Sequence, residues 1–249
     1  MSEYFIGGWT EELTAAVPSQ FSYVMFGMVT NLTGLTTGTA QDPGWSPAST
    51  APPQANALVL WTYGGGGCSP TSMPSSSSGV TQILDATSGE GWAGVDFDDE
   101  CSMDIELVIQ AMTSLSQTSY TFLAGWDYNN PDQSSEGQAI NDSVSAVASS
   151  GECDRFVLMA YGSAMWSQQD IIENVGPAIT RTIGYVGDSQ KVVLALTPEG
   201  LDSWNLNYFL NQVTENQLGG LFIWDFTALS SEDLNTICTA LGIDSNMLA

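Results

Sequence analysis

Four carboxylates end a short apolar run with the sequence Gly94-Val95-Asp96-Phe97-Asp98-Asp99-Glu100. Side chains alternate between the two faces of a β-strand, so Asp96, Asp98 and Glu100 share one face at Cα steps of roughly 6.6 Å. Val95 and Phe97 take the other face, which is apolar. If helices cover that apolar face, the three acids line the inside of a parallel barrel at the carboxyl end of a strand.

Eight short apolar runs alternate with segments of helical period, which predicts a buried parallel sheet with helices between its strands. The predicted strands are 4–8, 23–29, 57–63, 94–98, 120–125, 155–161, 191–196 and 220–226. The predicted helices are 10–17, 78–88, 102–117, 138–149, 168–184, 202–216 and 230–241. This pattern favours an α/β protein, a single (β/α)₈ TIM barrel that forms one domain over residues 1–249.

The composition excludes much chemistry. The chain has 3 Lys and Arg against 28 Asp and Glu, a formal net charge of −25, and no histidine. Histidine-based nucleophile pairs and histidine-ligated zinc are therefore impossible. Nucleic acid and membrane surfaces are poor partners, because binding either requires basic residues. Calcium remains an alternative for the D-x-D-x-E spacing, although calcium loops normally place Gly and turn residues between the ligands.

The acidic row itself predicts acid catalysis. Like charges about 4 Å apart repel by about 4 kcal/mol at an effective dielectric near 20, roughly three pKa units, so the row holds a proton near neutral pH. Glu100 is outermost and best placed to protonate a leaving oxygen in a cleft. Asp98, sharing a proton with Asp96, can stabilise a positively charged intermediate.

The strand is similar to the signature of family 18 glycoside hydrolases, the chitinases and endo-β-N-acetylglucosaminidases, whose motif is D-x-x-D-x-D-x-E on the fourth barrel strand. Ala93 stands at its first Asp and Glu100 at its last position. Weaker similarities follow in chain order: Thr62-Tyr63-Gly64-Gly65 resembles S-x-G-G, Met159-Ala160-Tyr161 resembles M-x-Y, and Trp224 resembles the tryptophan of the eighth strand. Gly162 stands where chitinases usually have Asp or Asn.

This resemblance implies a mechanism in which the substrate's own acetamide is the nucleophile, with net retention of configuration. Glu100 would be the acid and later the base, and Asp98 would turn toward the N-acetyl group. Asp96 would support Asp98, and Tyr161 would hydrogen-bond the acetamide oxygen. No metal and no cofactor is implied.

Substrate contacts are predicted at side chains near the strand ends, because flat sugar faces stack on aromatic rings. The candidates are Trp9, Tyr63, Trp126, Met159, Trp224 and Asp225. Packing is the alternative role for each of these aromatic residues. Long loops at 31–56 and 64–79 follow predicted strands and are expected to shape the cleft. Cys68 and Cys101 follow neighbouring strands and either form a disulfide there or stay free.

The expected function is a retaining glycoside hydrolase that cleaves β-1,4 bonds at N-acetylglucosamine units, in chitin oligomers or the N-glycan core. The alternative is a catalytically inactive, chitinase-like protein that binds such sugars as a lectin or has a storage or structural role. The expected partner is a carbohydrate, and the expected oligomeric state is a monomer. Absence of Lys and Arg from the first 154 residues slightly favours a protease-rich, extracellular location over the cytoplasm.

Overall fold

The structure is a computed structural model that describes residues 4–32, 35, 44–68, 76–124 and 135–244. Eight parallel strands form a closed barrel in which each strand pairs with the next one in the chain and β8 pairs with β1. The strands are β1 (Phe5–Thr10), β2 (Tyr23–Val29), β3 (Leu58–Gly64), β4 (Gly94–Asp99), β5 (Thr118–Leu123), β6 (Arg155–Met159), β7 (Val192–Leu196) and β8 (Gly220–Trp224). The predicted (β/α)₈ barrel is confirmed, and all eight strands lie within two residues of their predicted starts.

Six α-helices lie outside the barrel in the described ranges. They are α1 (Ser77–Gly89), α2 (Ile105–Met112), α3 (Ser135–Ser150), α4 (Gln168–Val186), α5 (Ser203–Glu215) and α6 (Ser231–Leu241). Local signals fix their ends: Ser230 accepts a hydrogen bond from the backbone N–H of Asp233 at 3.0 Å, and Gly187 closes α4 with φ of 76°. None of the helices in the described ranges has the length and apolar character needed to span a membrane.

The helix predicted over residues 10–17 is wrong. Residues 11–22 connect β1 to β2 through turns, and Ser22 donates its backbone N–H to Ile6 O at 2.8 Å. A connection this short, with Pro18 near its end, returns to the base of the barrel without room for a helix.

Two apolar layers follow from the alternation of side chains along each strand. Between the strands and the helices lies a large core to which Val95 and Phe97 of β4 belong. Inside the barrel lies a smaller cluster, which consists of Trp9, Tyr23, Met25, Leu60, Val157, Met159, Tyr161, Val193, Ala195 and Phe222. Side chains of β4 that point away from Val95 and Phe97 therefore enter the barrel interior.

Candidate active site

Strand β4 carries two carboxylates into the barrel. All six of its residues are buried, and its Cα register pairs Asp96 with Thr62 of β3 and Ser119 of β5. Asp98 pairs in the same way with Gly64 and Thr121. The neighbouring strands thus contribute small or hydroxyl-bearing residues beside the acids, which leaves space for carboxyl groups.

Asp96 is the hydrogen-bonded member of the acidic row. It is 2 % exposed, and its two oxygens accept hydrogen bonds from Thr121 Oγ1 at 2.7 Å and from Thr62 Oγ1 at 3.2 Å. Burial raises the pKa of Asp96 from 3.8 to about 6, while the hydroxyls of Thr121, Ser119 and Thr62 act to lower it. The hydrogen bonds from Thr121 and Thr62 therefore support this carboxylate without cancelling the effect of its burial.

Asp98 lies in the middle of the row without such support. It is 1 % exposed, and neither of its carboxylate oxygens has a hydrogen-bond partner among the described residues. Burial raises its pKa well above the ordinary value, and the charges of Glu100, Asp96 and Asp99 raise it further. Burial in this position therefore favours the protonated form of Asp98, and both of its oxygens are free to contact a ligand.

Glu100 is the outer member of the row and follows β4 directly. The residue is exposed at the mouth of the barrel. Partial burial of its carboxyl raises its pKa, and a hydrogen bond from the backbone N–H of Gly66 acts in the opposite direction. Glu100 therefore combines a raised pKa with access from solvent, which is what a general acid requires.

The segment that donates to Glu100 is the glycine loop, which we define as residues 64–67. Gly64, Gly65 and Gly67 have φ values of 103°, 80° and 92°, a region of backbone conformation that side chains with a Cβ rarely adopt. The backbone N–H of Gly65 donates to Asp98 O at 2.8 Å. A Cβ placed on Gly66 would lie 3.7 Å from Glu100 Oε1. The glycines thus allow backbone to approach the acidic row closely.

Tyr161 lies in the barrel interior just beyond β6, two strands along from the acidic row. It lies two residues after the end of β6 and is 5 % exposed, and its hydroxyl has no hydrogen-bond partner among the described residues. Burial raises the pKa of Tyr161 well above the ordinary value. The negative charges of Asp98, Glu100 and Asp96 raise it further. Asp98 and Tyr161 are thus two buried groups close enough to influence each other, and neither side chain has a hydrogen-bond partner in the part of the chain that the structure describes.

An aromatic pair lies beside these groups at the ends of β1 and β8. The rings of Trp9 and Trp224 stack with centroids 3.8 Å apart and an interplanar angle of 3°. Trp9 is buried, with no partner for its indole N–H among the described residues, while Trp224 is partly exposed. The pair offers a flat apolar face at the carboxyl end of the barrel.

The other predicted contacts fall in different places. Met159 is buried in the interior cluster that also contains Tyr161. Asp225 is partly exposed after β8, and its Oδ1 accepts hydrogen bonds from Thr227 Oγ1 at 2.6 Å and from the Thr227 N–H at 3.3 Å. Its carboxylate thus stabilises a local turn. Trp126 lies outside the described residues.

The structure corrects the placement of Tyr63. This residue is fully buried in the core between strands and helices, where its ring packs edge-to-face with Trp61 at 6.0 Å. Leu60 and Thr62 are the residues of β3 that point inward. Tyr63 lies on the opposite face from the acids and does not contribute to the cleft, because strand alternation applies to β3 as it does to β4.

Sequence reasoning missed the role of Asp99, the fourth carboxylate. Asp99 points outward and is 1 % exposed, and it accepts hydrogen bonds from Tyr120 OH at 2.6 Å and from the backbone N–H of Met103 at 2.9 Å. It fixes the chain just after β4. The alternation in β4 places Asp99 on the helix side, and a buried carboxylate there requires donors, but the sequence does not show that Tyr120 supplies one.

The cysteines resolve one open alternative. Cys68 and Cys101 form a disulfide with Cα atoms 5.7 Å apart, whereas Cys153 and Cys238 are free and buried. Across the described ranges, no group of three or more His, Cys, Asp or Glu side chains is arranged to hold a metal ion.

Comparisons with known proteins show a shared fold. No protein-family model matches the chain, and no curated protein matches it in sequence. A xylanase and alpha-amylase inhibitor protein from Scadoxus multiflorus has a similar structure, with a TM-score of 0.57 and 16 % sequence identity over 97 % of this chain and 99 % of that chain. An immunomodulatory active chitinase from Trichuris suis gives a TM-score of 0.49 and 13 % identity over 78 % of this chain and 66 % of that one. The first likeness establishes the barrel fold and leaves activity to be argued from the site.

Proposed function

We propose that the protein is a retaining glycoside hydrolase that cleaves β-1,4 bonds at N-acetylglucosamine units by substrate-assisted catalysis, with Glu100 as acid and base. The observation that carries this proposal is the arrangement around Asp98. Among the described residues, this carboxyl is buried without a hydrogen-bond partner, between hydrogen-bonded Asp96 and accessible Glu100, and the hydroxyl of Tyr161 likewise has none. Such groups find partners when a polar ligand enters.

The reaction begins with proton transfer from Glu100 to the glycosidic oxygen, which leaves with the electrons of its bond to the anomeric carbon. The acetamide oxygen of the same sugar forms a new bond to that carbon from the opposite face and gives an oxazolinium ion. Asp98 stabilises the positive charge on the acetamide nitrogen, and Tyr161 donates a hydrogen bond to the acetamide oxygen. The Glu100 carboxylate then takes a proton from water as the water opens the oxazolinium ring.

The substrate class follows from the surfaces of the cleft. The stacked pair of Trp9 and Trp224 offers an aromatic face of the kind on which the apolar face of a pyranose packs. A formal net charge of −25 disfavours anionic polymers and favours a neutral glycan. We therefore propose chitin oligomers or the N-glycan core as substrates, with the protein acting as a monomer. The Cys68–Cys101 disulfide supports an extracellular location.

Replacement of Glu100 tests the function directly. Glu100→Gln keeps the shape of the side chain and removes the transferable proton, so we expect hydrolysis of a fluorogenic chitobioside or chitotrioside to fall by about 10²- to 10⁴-fold. Glu106→Gln, at an exposed position in the first turn of α2, is the matched control and should keep full activity.

Mass spectrometry of products from chitohexaose and from a high-mannose glycoprotein distinguishes the two substrate classes. Calorimetry with chitotriose on the Glu100→Gln variant should still detect binding, because the cleft is intact. Wild-type turnover equal to that of Glu100→Gln on every substrate, with binding preserved, would contradict the enzymatic proposal and favour a lectin.

A further inference from the structure

The disulfide joins two segments that both belong to the acidic row. Cys101 is the residue after Glu100, and Cys68 is the residue after the glycine loop. The bond connects them across 33 residues, with Cα atoms 5.7 Å apart. It therefore ties the backbone that carries the acid to the backbone that donates a hydrogen bond to it.

Three contacts transmit this connection to the carboxyl of Glu100. The backbone N–H of Cys68 donates to Gly65 O at 3.1 Å, which closes the loop on itself. The Gly65 N–H donates to Asp98 O at 2.8 Å, which holds the loop against the end of β4. Gly66 lies between Gly65 and Cys68 in the chain, and its backbone N–H donates a hydrogen bond to the Glu100 carboxylate. The loop thus presents one donor to the acid, at a position fixed on both sides.

The glycine loop needs such a restraint. Four consecutive glycines have more conformational freedom in the unfolded chain than any other four residues. Fixing them in one conformation therefore costs more entropy. Gly66 itself is exposed and is not held by side-chain packing. A covalent bond two residues beyond it limits the positions that its N–H can reach.

We propose that the Cys68–Cys101 disulfide is a positioning element for Glu100, which holds the Gly66 N–H against the carboxyl of the acid. The inference rests on the proposed role of Glu100 as acid and base. Loss of the disulfide frees the glycine loop and removes a donor that favours the charged form of Glu100. The proton on Glu100 is then held more tightly, and the carboxyl is less well oriented toward a glycosidic oxygen.

Asp99 holds the end of β4 in place independently of the disulfide, so loss of the disulfide need not unfold this strand end. Its hydrogen bonds to Tyr120 OH and to the Met103 N–H fix the chain after β4 on the other side of Glu100. These contacts do not involve the disulfide. Removal of the disulfide should therefore leave the end of β4 in place and disturb only the loop side of Glu100.

The direct test measures the proton on Glu100. We expect the double variant Cys68→Ser, Cys101→Ser to raise the pKa of Glu100 by about half to one unit, the range expected for loss of one hydrogen bond to a partly exposed carboxylate. The measurement is a titration of ¹³C-labelled glutamate carboxyl carbons by NMR, with the Glu100 signal assigned by its absence in Glu100→Gln. Cys238→Ala, at a buried free cysteine on α6, is the control and should leave the signal unchanged. An unchanged pKa of Glu100 in the folded double variant overturns the proposal.

A second pair of variants keeps the test decisive if the double variant does not fold. Gly66→Ala retains the N–H, and its Cβ would meet Met28 Cε at 3.6 Å and Glu100 Oε1 at 3.7 Å, which are ordinary contacts. Gly66→Pro lacks the N–H. The pKa of Glu100 should rise in the proline variant and stay closer to the wild-type value in the alanine variant. Equal values in the two variants contradict the proposal.

Kinetics separate this inference from the proposed function. In an active protein, loss of the disulfide should move the basic limb of kcat/KM to higher pH and lower kcat by about 10-fold, with KM within about 2-fold of wild type, since the sugar contacts remain. A pKa shift in a protein without hydrolytic activity refutes the proposed function and leaves the positioning relationship intact. Activity with no shift in either measurement refutes the inference alone.

Discussion

The inner surface of the barrel has two unlike halves. Strands β3, β4 and β5 form a mainly polar half, whose inward side chains include Thr62, Asp96, Asp98, Ser119 and Thr121 beside the apolar Leu60. Strands β1, β2, β6, β7 and β8 form the apolar half, whose inward side chains include Trp9, Met25, Val157, Val193, Ala195 and Phe222. The apolar half excludes water from the interior, and the polar half then experiences a lower effective dielectric. Acids in that environment retain protons that they would lose in water.

Of the changes to the inner surface of the barrel, replacement of Asp98 in the polar half has the largest expected effect. Asp98→Asn should lower kcat by about 10²- to 10³-fold, because a neutral amide stabilises a positively charged intermediate poorly. The same change should raise Tm at pH 7, since burial opposes the charged form of Asp98. A carboxyl with a raised folded-state pKa contributes stability below its unfolded pKa and loses it as pH rises. Thermal melts and steady-state kinetics check both effects.

Asp85→Asn, at an exposed position on α1, is the control for that prediction and should change neither quantity. A lower Tm for Asp98→Asn at pH 7 would mean that Asp98 has a stabilising partner that the geometry does not provide.

The second effect is the pH dependence of stability at Asp96. Its pKa rises from 3.8 to about 6 on folding, so its contribution is complete below pH 4 and is lost as pH rises to 6. At about 1.4 kcal/mol per pKa unit, the loss amounts to about 3 kcal/mol. Urea unfolding of wild type and Asp96→Asn at pH 4, 5, 6 and 7 measures it. The wild-type curve should fall over this range by more than the variant curve, and parallel curves would contradict the assignment.

The third and smallest effect sharpens the role of the apolar half. Trp224→Ala removes the partly exposed ring of the stacked pair and should weaken chitotriose binding by about 10-fold, with a smaller effect on kcat. Trp9→Phe keeps an aromatic ring beneath it and should weaken binding by less, about 2- to 3-fold. Calorimetry of each variant in the Glu100→Gln background gives the dissociation constants. A larger loss for Trp9→Phe than for Trp224→Ala would assign the sugar contact to the inner ring.

The barrel could be predicted because side chains alternate between the two faces of every strand, and β4 shows this alternation clearly. In β4, apolar and acidic residues alternate, and this alternation separates the outer core from the interior. The same rule predicts that Tyr63 points outward, since Thr62 is the residue of β3 that pairs with Asp96. Tyr63 was predicted to contact the sugar because it is an aromatic residue near a strand end, which led to the opposite placement. Strand periodicity was the better guide there.

Pairings between distant residues could not be predicted. The hydrogen bond from Tyr120 to Asp99 depends on the register of β4 with β5, which the barrel sets and the sequence does not state. The disulfide was one of two alternatives, because its geometry depends on how the glycine loop folds back over the end of β4. Residues 10–17 have a helical pattern, but the short return from β1 to β2 overrides it.

The complete burial of β4 has a consequence for the lifetime of the site. Amide protons in a central strand with neighbours on both sides exchange with solvent only when the whole sheet opens. Asp96 and Asp98 thus belong to the slowest-exchanging part of the molecule, whereas Glu100 and Gly66 of the glycine loop lie beyond the strand and are exposed to solvent. Heating should therefore disturb Glu100 before β4 opens. At moderate temperature the protein should lose turnover while the amide protons of β4 remain protected from exchange.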